Sequence, residues 1–168
     1  ARMGLIPVVN TFASFLAARA NEQIYNNAGE KTKIIYTCHF SGMIPAGPGK
    51  SHQSVRDISL FGALPNFTII QPCNGEETKW ATEYCVNAAE ENCMLRLVIG
   101  TKKKRIKLPK NYKLKVGVGA ELTEGNDAIL FGYGPVMLHE ALVAADYLNK
   151  IGFGLKIVNM PWLNKIDK

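Results

Sequence analysis

The chain lacks the long apolar runs and targeting features of a membrane or secreted protein. No apolar stretch approaches the roughly 20 residues that a membrane-spanning helix needs. An apolar segment lies within residues 1–11, but only one basic residue precedes it and no small-residue cleavage site follows. We therefore expect neither a signal peptide nor a membrane partner.

The cysteines lack the spacing of a metal site. Cys38, Cys73, Cys85 and Cys93 form no CxxC pair, and no histidine stands at ligand spacing beside them. Cys38 and Cys93 lie in or beside strand-like runs, and Cys85 lies in a helical pattern. We predict four buried, free thiols in a reducing compartment such as the cytoplasm, and no metal ligands on this chain.

Negative charge is scarce in one segment, where much of the net charge of +6 is concentrated. The basic residues of this run are Lys102, Lys103, Lys104, Arg105, Lys107 and Lys110. Such a run can bind nucleic acid or an anionic surface. Single-strand-binding proteins usually combine charge with aromatic platforms, however, and no aromatic residue is interleaved before Tyr112. We interpret residues 101–115 as a solvated basic linker and do not expect a nucleic-acid partner.

What the sequence does contain is a regular alternation of short apolar strands and helical patterns. Strands are predicted at 5–10, 33–37, 67–71, 94–99, 127–131 and 155–159, with a strand or hairpin at 116–119. Helices are predicted at 11–26 (with Asn10 or Thr11 as the cap), at 53–64, from about 74 to 91, and at 135–150. This alternation predicts βαβ units and a mainly parallel sheet.

The predicted fold class is α/β. We expect a mainly parallel open sheet with helices on both faces, followed by the start of a second, smaller α/β domain. The pattern opens on a strand and stops just after one. We therefore expect a partial domain at 1–100, the linker at 101–115 and a truncated domain at 116–168.

A loop rich in glycine and proline follows the predicted strand 33–37, with His39 near its start and His52 near its end. Ligands of open α/β sheets bind at the carboxyl ends of strands, where this loop lies. Histidines there could orient hydroxyls or phosphate, or transfer protons near neutrality. The pattern alone does not separate this from two ordinary loop histidines. The run from Gly47 to Ser51 is not a P-loop, because Ile44 stands where the first glycine is needed.

Phe12 and Phe15 stand three residues apart at the start of the first predicted helix. Such pairs usually pack in a core. They could instead form an aromatic wall against a flat heterocycle, where stacking contributes about 0.5–1.5 kcal/mol beyond burial. Composition leaves both interpretations open.

Several segments resemble the transketolase family, over nearly the whole chain. Residues 4–15 are similar to its strand followed by Thr-Phe and a second Phe, and Arg19-Ala20-Asn21-Glu22-Gln23 to its Arg-Ala-x-[DE]-Gln. Residues 49–60, with Leu64-Pro65-Asn66 and Gln71-Pro72, resemble its Gly-x-[ST]-His-Gln block. Residues 125–134, 141–145 and 158–161 resemble the opening of its C-terminal domain.

The resemblance implies a thiamine-diphosphate-binding fold and a magnesium-dependent transfer of a two-carbon ketol unit between sugars or sugar phosphates. Phe12 and Phe15 would stack on the aminopyrimidine of thiamine diphosphate. His39 and His52 would be catalytic, and with Ser51 and Gln53 they would bind the substrate. A deoxyxylulose-phosphate synthase, a 2-oxo acid dehydrogenase beta subunit and a non-catalytic fragment that completes a dimer interface stay open as alternatives.

Parts of the family's site are expected outside this chain. The resemblance places the catalytic glutamate upstream of Ala1 and the diphosphate and metal motif in another domain. The expected partner is therefore a thiamine-diphosphate-binding domain of the same or another chain, in a homodimer or heterotetramer. Sugar-phosphate enzymes of the family carry an arginine where this chain reads Ile99-Gly100-Thr101, although Lys102 or Arg105 could substitute. Whether the substrate is phosphorylated stays open.

Overall fold

A computed structural model describes residues 1–44, 47–99 and 106–165. The strands are β1 (Val8–Phe12), β2 (Ile35–His39), β3 (Phe67–Ile70), β4 (Asn92–Arg96), β5 (Ala120–Thr123), β6 (Ala128–Gly132) and β7 (Leu155–Asn159). The helices are α1 (Ala13–Arg19), α2 (Asn21–Gly29), α3 (Asp57–Phe61), α4 (Gly75–Asn87) and α5 (Gly134–Asn149). The alternation of strands and helices confirms the predicted α/β class.

The first sheet is fully parallel, in the order β1-β2-β4-β3. Successive side chains of a strand point to opposite faces, and β2 shows this clearly. Tyr36 and Cys38 pack in the core that includes α1, α2 and α3, whereas Ile35 packs in the core that includes α4. The sheet therefore has helices on both faces, as predicted.

A second, three-stranded sheet has the order β5-β7-β6, with β6 parallel and β5 antiparallel to β7. Its core contains Leu138 and Leu142 from α5 and Ile157 from β7. Two residues from outside this unit join the same core, Cys73 after β3 and Ile106. The two sheets are thus packed together through shared buried side chains.

The predicted solvated linker differs from the structure where the structure describes it. Ile106 is buried, Leu108 packs against the core of the second sheet, and Leu114 packs against the α4 core. Lys107 and Lys110 remain exposed, because basic and apolar residues are interspersed in this segment. Residues 101–105 lie outside the described residues, and the bounds 1–100, 101–115 and 116–168 stay predictions.

The single helix predicted at 11–26 is wrong in two respects. Thr11 and Phe12 belong to β1, because the strand pairs with β2 as far as Phe12 opposite His39. The helical region is also divided at Ala20 into α1 and α2. Neither Asn10 nor Thr11 caps α1, whose N-cap is Phe12 without a side-chain hydrogen bond.

The helix predicted at 53–64 is confined to α3. Residues before it are held in a loop, since the Ser54 N–H donates to the Gly42 carbonyl at 2.8 Å. The segment 116–119, predicted as a strand or hairpin, contains no strand: it begins with a turn in which the Val118 N–H donates to the Lys115 carbonyl, and β5 starts only at Ala120. Tertiary hydrogen bonds override the local pattern at both places.

The prediction of four free, buried thiols is confirmed. Burial, with the nearby Asp57 carboxylate, raises the pKa of Cys38 to about 12. In the part of the chain that the structure describes, no helix is both long and apolar enough to cross a membrane.

Candidate functional site

The predicted site residues lie at the carboxyl edge of the first sheet. Phe12 and His39 end β1 and β2 and are opposite each other in the parallel register. Helix α1 begins directly after Phe12 and places Phe15 in its first turn. Strand pairing and the start of one helix therefore gather these side chains at the edge where α/β proteins bind ligands.

His52 packs against both phenylalanines. Its ring centroid lies 5.3 Å from that of Phe12 and 5.1 Å from that of Phe15, and the two phenylalanine rings are 5.3 Å apart. Phe40 adds an edge contact to Phe12 at 4.9 Å, and the Arg19 guanidinium lies 4.0 Å from the centre of the Phe15 ring. Phe12, Phe15 and His52 are only half-buried, so part of this cluster faces solvent.

Hydrogen bonds hold the loop that carries His52 in place around this residue. The Ser51 hydroxyl lies 2.9 Å from His52 Nδ1, and the Ser14 hydroxyl of α1 donates to the Ser51 carbonyl at 3.1 Å. The His52 N–H donates to the Gly49 carbonyl at 3.0 Å. The Ser51 hydroxyl also lies 3.5 Å from the Pro48 carbonyl, and its single proton can be donated to only one of the two acceptors. When it is donated to the nearer Nδ1, the neutral ring carries its own proton on Nε2.

His39 has a separate partner on the neighbouring strand. Its Nε2 lies 2.6 Å from Asn10 Oδ1, and the Thr37 hydroxyl donates to the same oxygen at 3.2 Å. An amide oxygen only accepts, so Nε2 is the donor in this contact, and in the neutral ring Nδ1 is then an acceptor. Sequence reasoning treated Asn10 only as a possible helix cap and missed this role.

Gln53 uses its side-chain amide within the loop, where Nε2 donates to the Met43 carbonyl at 3.0 Å. The structure therefore brings together Phe12, Phe15, Ser51 and His52. Gln53 lies next to them in the chain, and its hydrogen bond to Met43 closes the loop. The substrate-binding role predicted for Gln53 stays a prediction. The candidate cations Lys102 and Arg105 lie outside the described residues.

A buried ion pair at the same edge was missed from the sequence. The Arg96 guanidinium, at the end of β4, binds both carboxylate oxygens of Asp57, with Nε–Oδ2 at 2.6 Å and Nη2–Oδ1 at 3.2 Å. Its Nη1 donates to the side-chain oxygen of Gln71. A charged residue inside the otherwise apolar predicted run 94–99 was the available signal, because arginine is almost never fully buried without a partner.

A second buried network joins the two sheets. Glu77 Oε1 accepts from the Tyr112 hydroxyl at 3.0 Å and from Asn159 Nδ2 at 2.9 Å, and Oε2 accepts from the Cys73 N–H at 2.7 Å. Burial, with the adjacent carboxylate, raises the pKa of Tyr112 above its ordinary value.

A groove of about 710 Å³ opens elsewhere, between α4 and the segment after residue 106. It is lined by Trp80, Tyr84 and Tyr112 among others, and by none of the predicted site residues.

Among the described residues, no group of three or more His, Cys, Asp or Glu side chains could hold a metal ion. The candidate site is thus an open edge of aromatic and histidine side chains.

Family models match most of the chain. Residues 1–100 match the transketolase pyrimidine-binding domain, and residues 117–168 match the transketolase C-terminal domain. The matched regions correspond to the parts of the chain that hold the first and second sheets.

Similar proteins support the same assignment. An uncharacterized transketolase family protein of Sinorhizobium fredii, y4mN, is 32% identical over the whole of this chain, which covers 48% of that protein. A 1-deoxy-D-xylulose-5-phosphate synthase of Prochlorococcus marinus (strain MIT 9313) is 30% identical over 98% of this chain, which covers 25% of that protein. The chain spans between a quarter and about half of the length of these relatives.

Solved structures agree with the fold. A transketolase from Campylobacter jejuni superposes with a TM-score of 0.83 at 28% identity, covering 98% of this chain and 26% of that one. A split gene transketolase, described as an inactive beta4 tetramer, superposes with a TM-score of 0.82 at 27% identity, covering 96% of this chain and 51% of that one. On the family-model matches and these similarities, the chain belongs to the transketolase family.

Proposed function

We propose that this chain is the pyrimidine-side part of a thiamine-diphosphate-dependent enzyme that transfers a two-carbon ketol unit between sugars or sugar phosphates. The observation that carries the proposal is the packing of His52 against Phe12 and Phe15 at the carboxyl edge of the parallel sheet. His39 ends the neighbouring strand at the same edge. An apolar aromatic surface and two histidines therefore lie at the same edge of the first sheet.

The residues present fit the pyrimidine end of the cofactor. Phe12 and Phe15 are half-buried rather than enclosed in the core, so their rings can contact a flat heterocycle. Thiamine diphosphate, when bound, supplies the nucleophilic carbon and the electron sink of the reaction. The diphosphate and Mg²⁺ would be held by a partner domain.

The two histidines would have different tasks. His52, with Nδ1 held by Ser51, would present Nε2 as a donor to a substrate oxygen. His39, with Nε2 held by Asn10, would present Nδ1 as an acceptor for a substrate hydroxyl. A donor and an acceptor at one edge can orient a polyhydroxylated substrate and move a proton between its oxygens.

The activity needs more than this chain. The structure of a split gene transketolase covers 96% of it, which supports a separate partner chain that carries the diphosphate-binding domain. The assembly would be a homodimer or heterotetramer. The reducing compartment expected from the four free cysteines is the cytoplasm, which stays a prediction.

A second candidate function is favoured by the relatives. Synthases of 1-deoxy-D-xylulose 5-phosphate from three Prochlorococcus marinus strains align with 98% of the chain at 26–30% identity. These alignments include the histidine-bearing region and both sheets. A synthase reaction would use the same aromatic and histidine side chains with a different donor.

The test uses the chain assembled with its diphosphate-binding partner. Calorimetry with thiamine diphosphate and MgCl₂ should show binding that His52→Ala retains, and a ketol-transfer assay should show a kcat that His52→Ala lowers about 100-fold without abolishing it. Formation of 1-deoxy-D-xylulose 5-phosphate without ketol transfer would instead support the synthase. No cofactor binding in the assembly would sink both and favour a fragment that only completes an interface.

A further inference from the structure

The Arg96–Asp57 ion pair lies at the end of the segment that carries the candidate substrate residues. We call residues 40–56, between β2 and α3, the histidine loop; its residues 45–46 lie outside the described residues. Asp57 begins α3 directly after this loop. The side chains of Arg96 and Asp57 are 5% and 2% exposed, so both charges are buried.

Residues 96–97 fasten both ends of the histidine loop. The two-pronged contact between Arg96 and Asp57 holds its carboxyl end. At its amino end, the Ser41 N–H donates to the Leu97 carbonyl at 3.0 Å, and the Leu97 N–H donates to the Cys38 carbonyl at 2.8 Å. The end of β4 therefore fixes where the loop leaves the sheet and where it returns.

Gln71 extends this arrangement to the second sheet. Its side-chain oxygen accepts from Arg96, and its backbone N–H donates to the Pro161 carbonyl at 2.8 Å, just beyond β7. Its side-chain amide fills the space over Gly134, the first residue of α5, where an added Cβ would lie 2.4 Å from Gln71 Nε2. Gly134 also has a φ of +69°, which disfavours other residues.

The geometry indicates a positional role for the pair. Replacing a buried ion pair by apolar residues of similar size is often neutral for stability, so stability alone does not account for it. A guanidinium group does fix the relative orientation of the two side chains, because two of its parallel N–H groups form a fork that must bind the two oxygens of one carboxylate. We propose that Arg96 is a positioning residue for His52: its fork sets the Asp57 end of the histidine loop, and Gln71 couples that placement to the docked second sheet. This inference rests on the proposed function.

The experiment uses the assembled enzyme with three variants. Arg96→Lys keeps the charge and loses the fork, and Arg96→Met with Asp57→Leu removes both charges without leaving either unpaired. We expect kcat for ketol transfer to fall about 10- to 100-fold in both, as a misplaced group would cause. The KM for thiamine diphosphate should be unchanged, because Phe12 and Phe15 are untouched. Arg56→Lys, exposed and next to Asp57, is the matched control and should leave kcat unchanged.

A double-mutant cycle separates positioning from general damage. If Arg96 acts through His52, Arg96→Lys should cause no further loss of kcat in a His52→Ala background. Independent structural damage would instead make the two losses multiply. Multiplying losses, or full kcat in Arg96→Lys, would overturn the proposal.

Hydrogen exchange tests the placement without relying on activity. The His52 and Ser54 N–H groups bond to the Gly49 and Gly42 carbonyls and should be protected. Faster exchange at both N–H groups in Arg96→Lys, and not in Arg56→Lys, would support the inference. This readout holds even if the assembly shows no ketol transfer, a result that would overturn the proposed function but not the inference. Unchanged exchange in Arg96→Lys would overturn the inference.

Discussion

His39 and Asn10, on adjacent parallel strands, are joined by a contact of 2.6 Å between Nε2 and Oδ1. The Thr37 hydroxyl also donates to this amide oxygen, at a longer distance of 3.2 Å. An acceptor fixed on one side of an imidazole decides which nitrogen carries the proton. The neighbouring strand therefore sets the form in which His39 meets a ligand.

Replacing Asn10 by leucine should release this control. We expect His39 to populate both tautomers, and kcat/KM of the assembled enzyme to fall about tenfold. This is less than the roughly 100-fold or more that an acid–base group contributes, because His39 itself is retained. Nitrogen-15 chemical shifts of the ring report the tautomer directly. Thr37→Val is the control, because it leaves the Asn10–His39 contact in place and should preserve the Nε2–H form. A wild-type ring that is mainly Nδ1–H would contradict the assignment.

Phe15 should matter for the cofactor rather than for the fold. Phe15→Leu removes the ring that faces His52 at 5.1 Å. We expect thiamine diphosphate affinity to weaken about fivefold, from the loss of about 1 kcal/mol of aromatic contact. The melting temperature should change little, because Phe15 is half-buried.

The matched control is Phe61→Leu, since Phe61 is fully buried in the core that includes α1, α2 and α3. That variant should lower the melting temperature and leave cofactor affinity per folded molecule unchanged. Equal effects of the two substitutions on affinity would show that Phe15 acts only through stability.

The strand–helix order and the two sheets could be predicted because apolar runs and turn residues report burial locally. The position of Phe12 could not, because its place in β1 depends on pairing with β2, which is distant in sequence. The same holds for Ser54, whose bond to Gly42 keeps it out of α3. Hydrogen bonds between remote segments decided these boundaries.

Site residues divide in a similar way. Phe12, Phe15 and His52 were identified from motif order, and the structure places their rings within contact. Asn10 and Arg96 were missed because their significance lies in partners 29 and 39 residues away. A polar residue in a strand indicates that a partner exists without indicating which one it is.

The buried thiols should be unreactive in the folded chain. Burial raises the pKa of Cys38 from 9.0 to about 12, so its sulfur stays protonated at neutral pH, and the thiolate is the reactive form. Ellman's reagent at pH 8 should modify the four cysteines slowly, and rapidly after addition of urea. Fast modification of the native chain would show that the thiols are accessible.

The same raised pKa predicts a dependence of stability on pH. The unfolded thiol ionises near 9.0, whereas the folded one stays neutral to about 12. Below pH 9.0 the thiol is protonated in both the folded and the unfolded state, and its contribution to the free energy of unfolding is fully present. As the pH rises from about 9 toward 12, only the unfolded state loses its proton, so the free energy of unfolding should decline. Cys38→Ala should make this decline shallower in urea titrations.

Glu77 should be the residue on which the contact between the two sheets depends most. Its carboxylate accepts from three donors, on Tyr112, Asn159 and Cys73. Glu77→Gln retains the size but offers only one accepting oxygen, so its NH₂ group would face at least one of these donors. An unsatisfied buried donor costs about 1–3 kcal/mol, and the urea midpoint should fall accordingly.

The location of the Glu77 effect can be measured as well as its size. Trp80 on α4 lies 6.0 Å from the Tyr112 ring, so its fluorescence reports the segment that Glu77 holds. In Glu77→Gln, with Trp162 replaced by phenylalanine in variant and reference so that Trp80 alone is read, we expect the fluorescence to change at lower urea than the far-UV circular dichroism of the whole chain. The reason is that the segment is released before the rest unfolds. Glu76→Gln, at the exposed neighbouring position, should leave both transitions coincident and unshifted. If Glu77→Gln also unfolds in one coincident transition at the wild-type midpoint, the carboxylate does not hold the two sheets together.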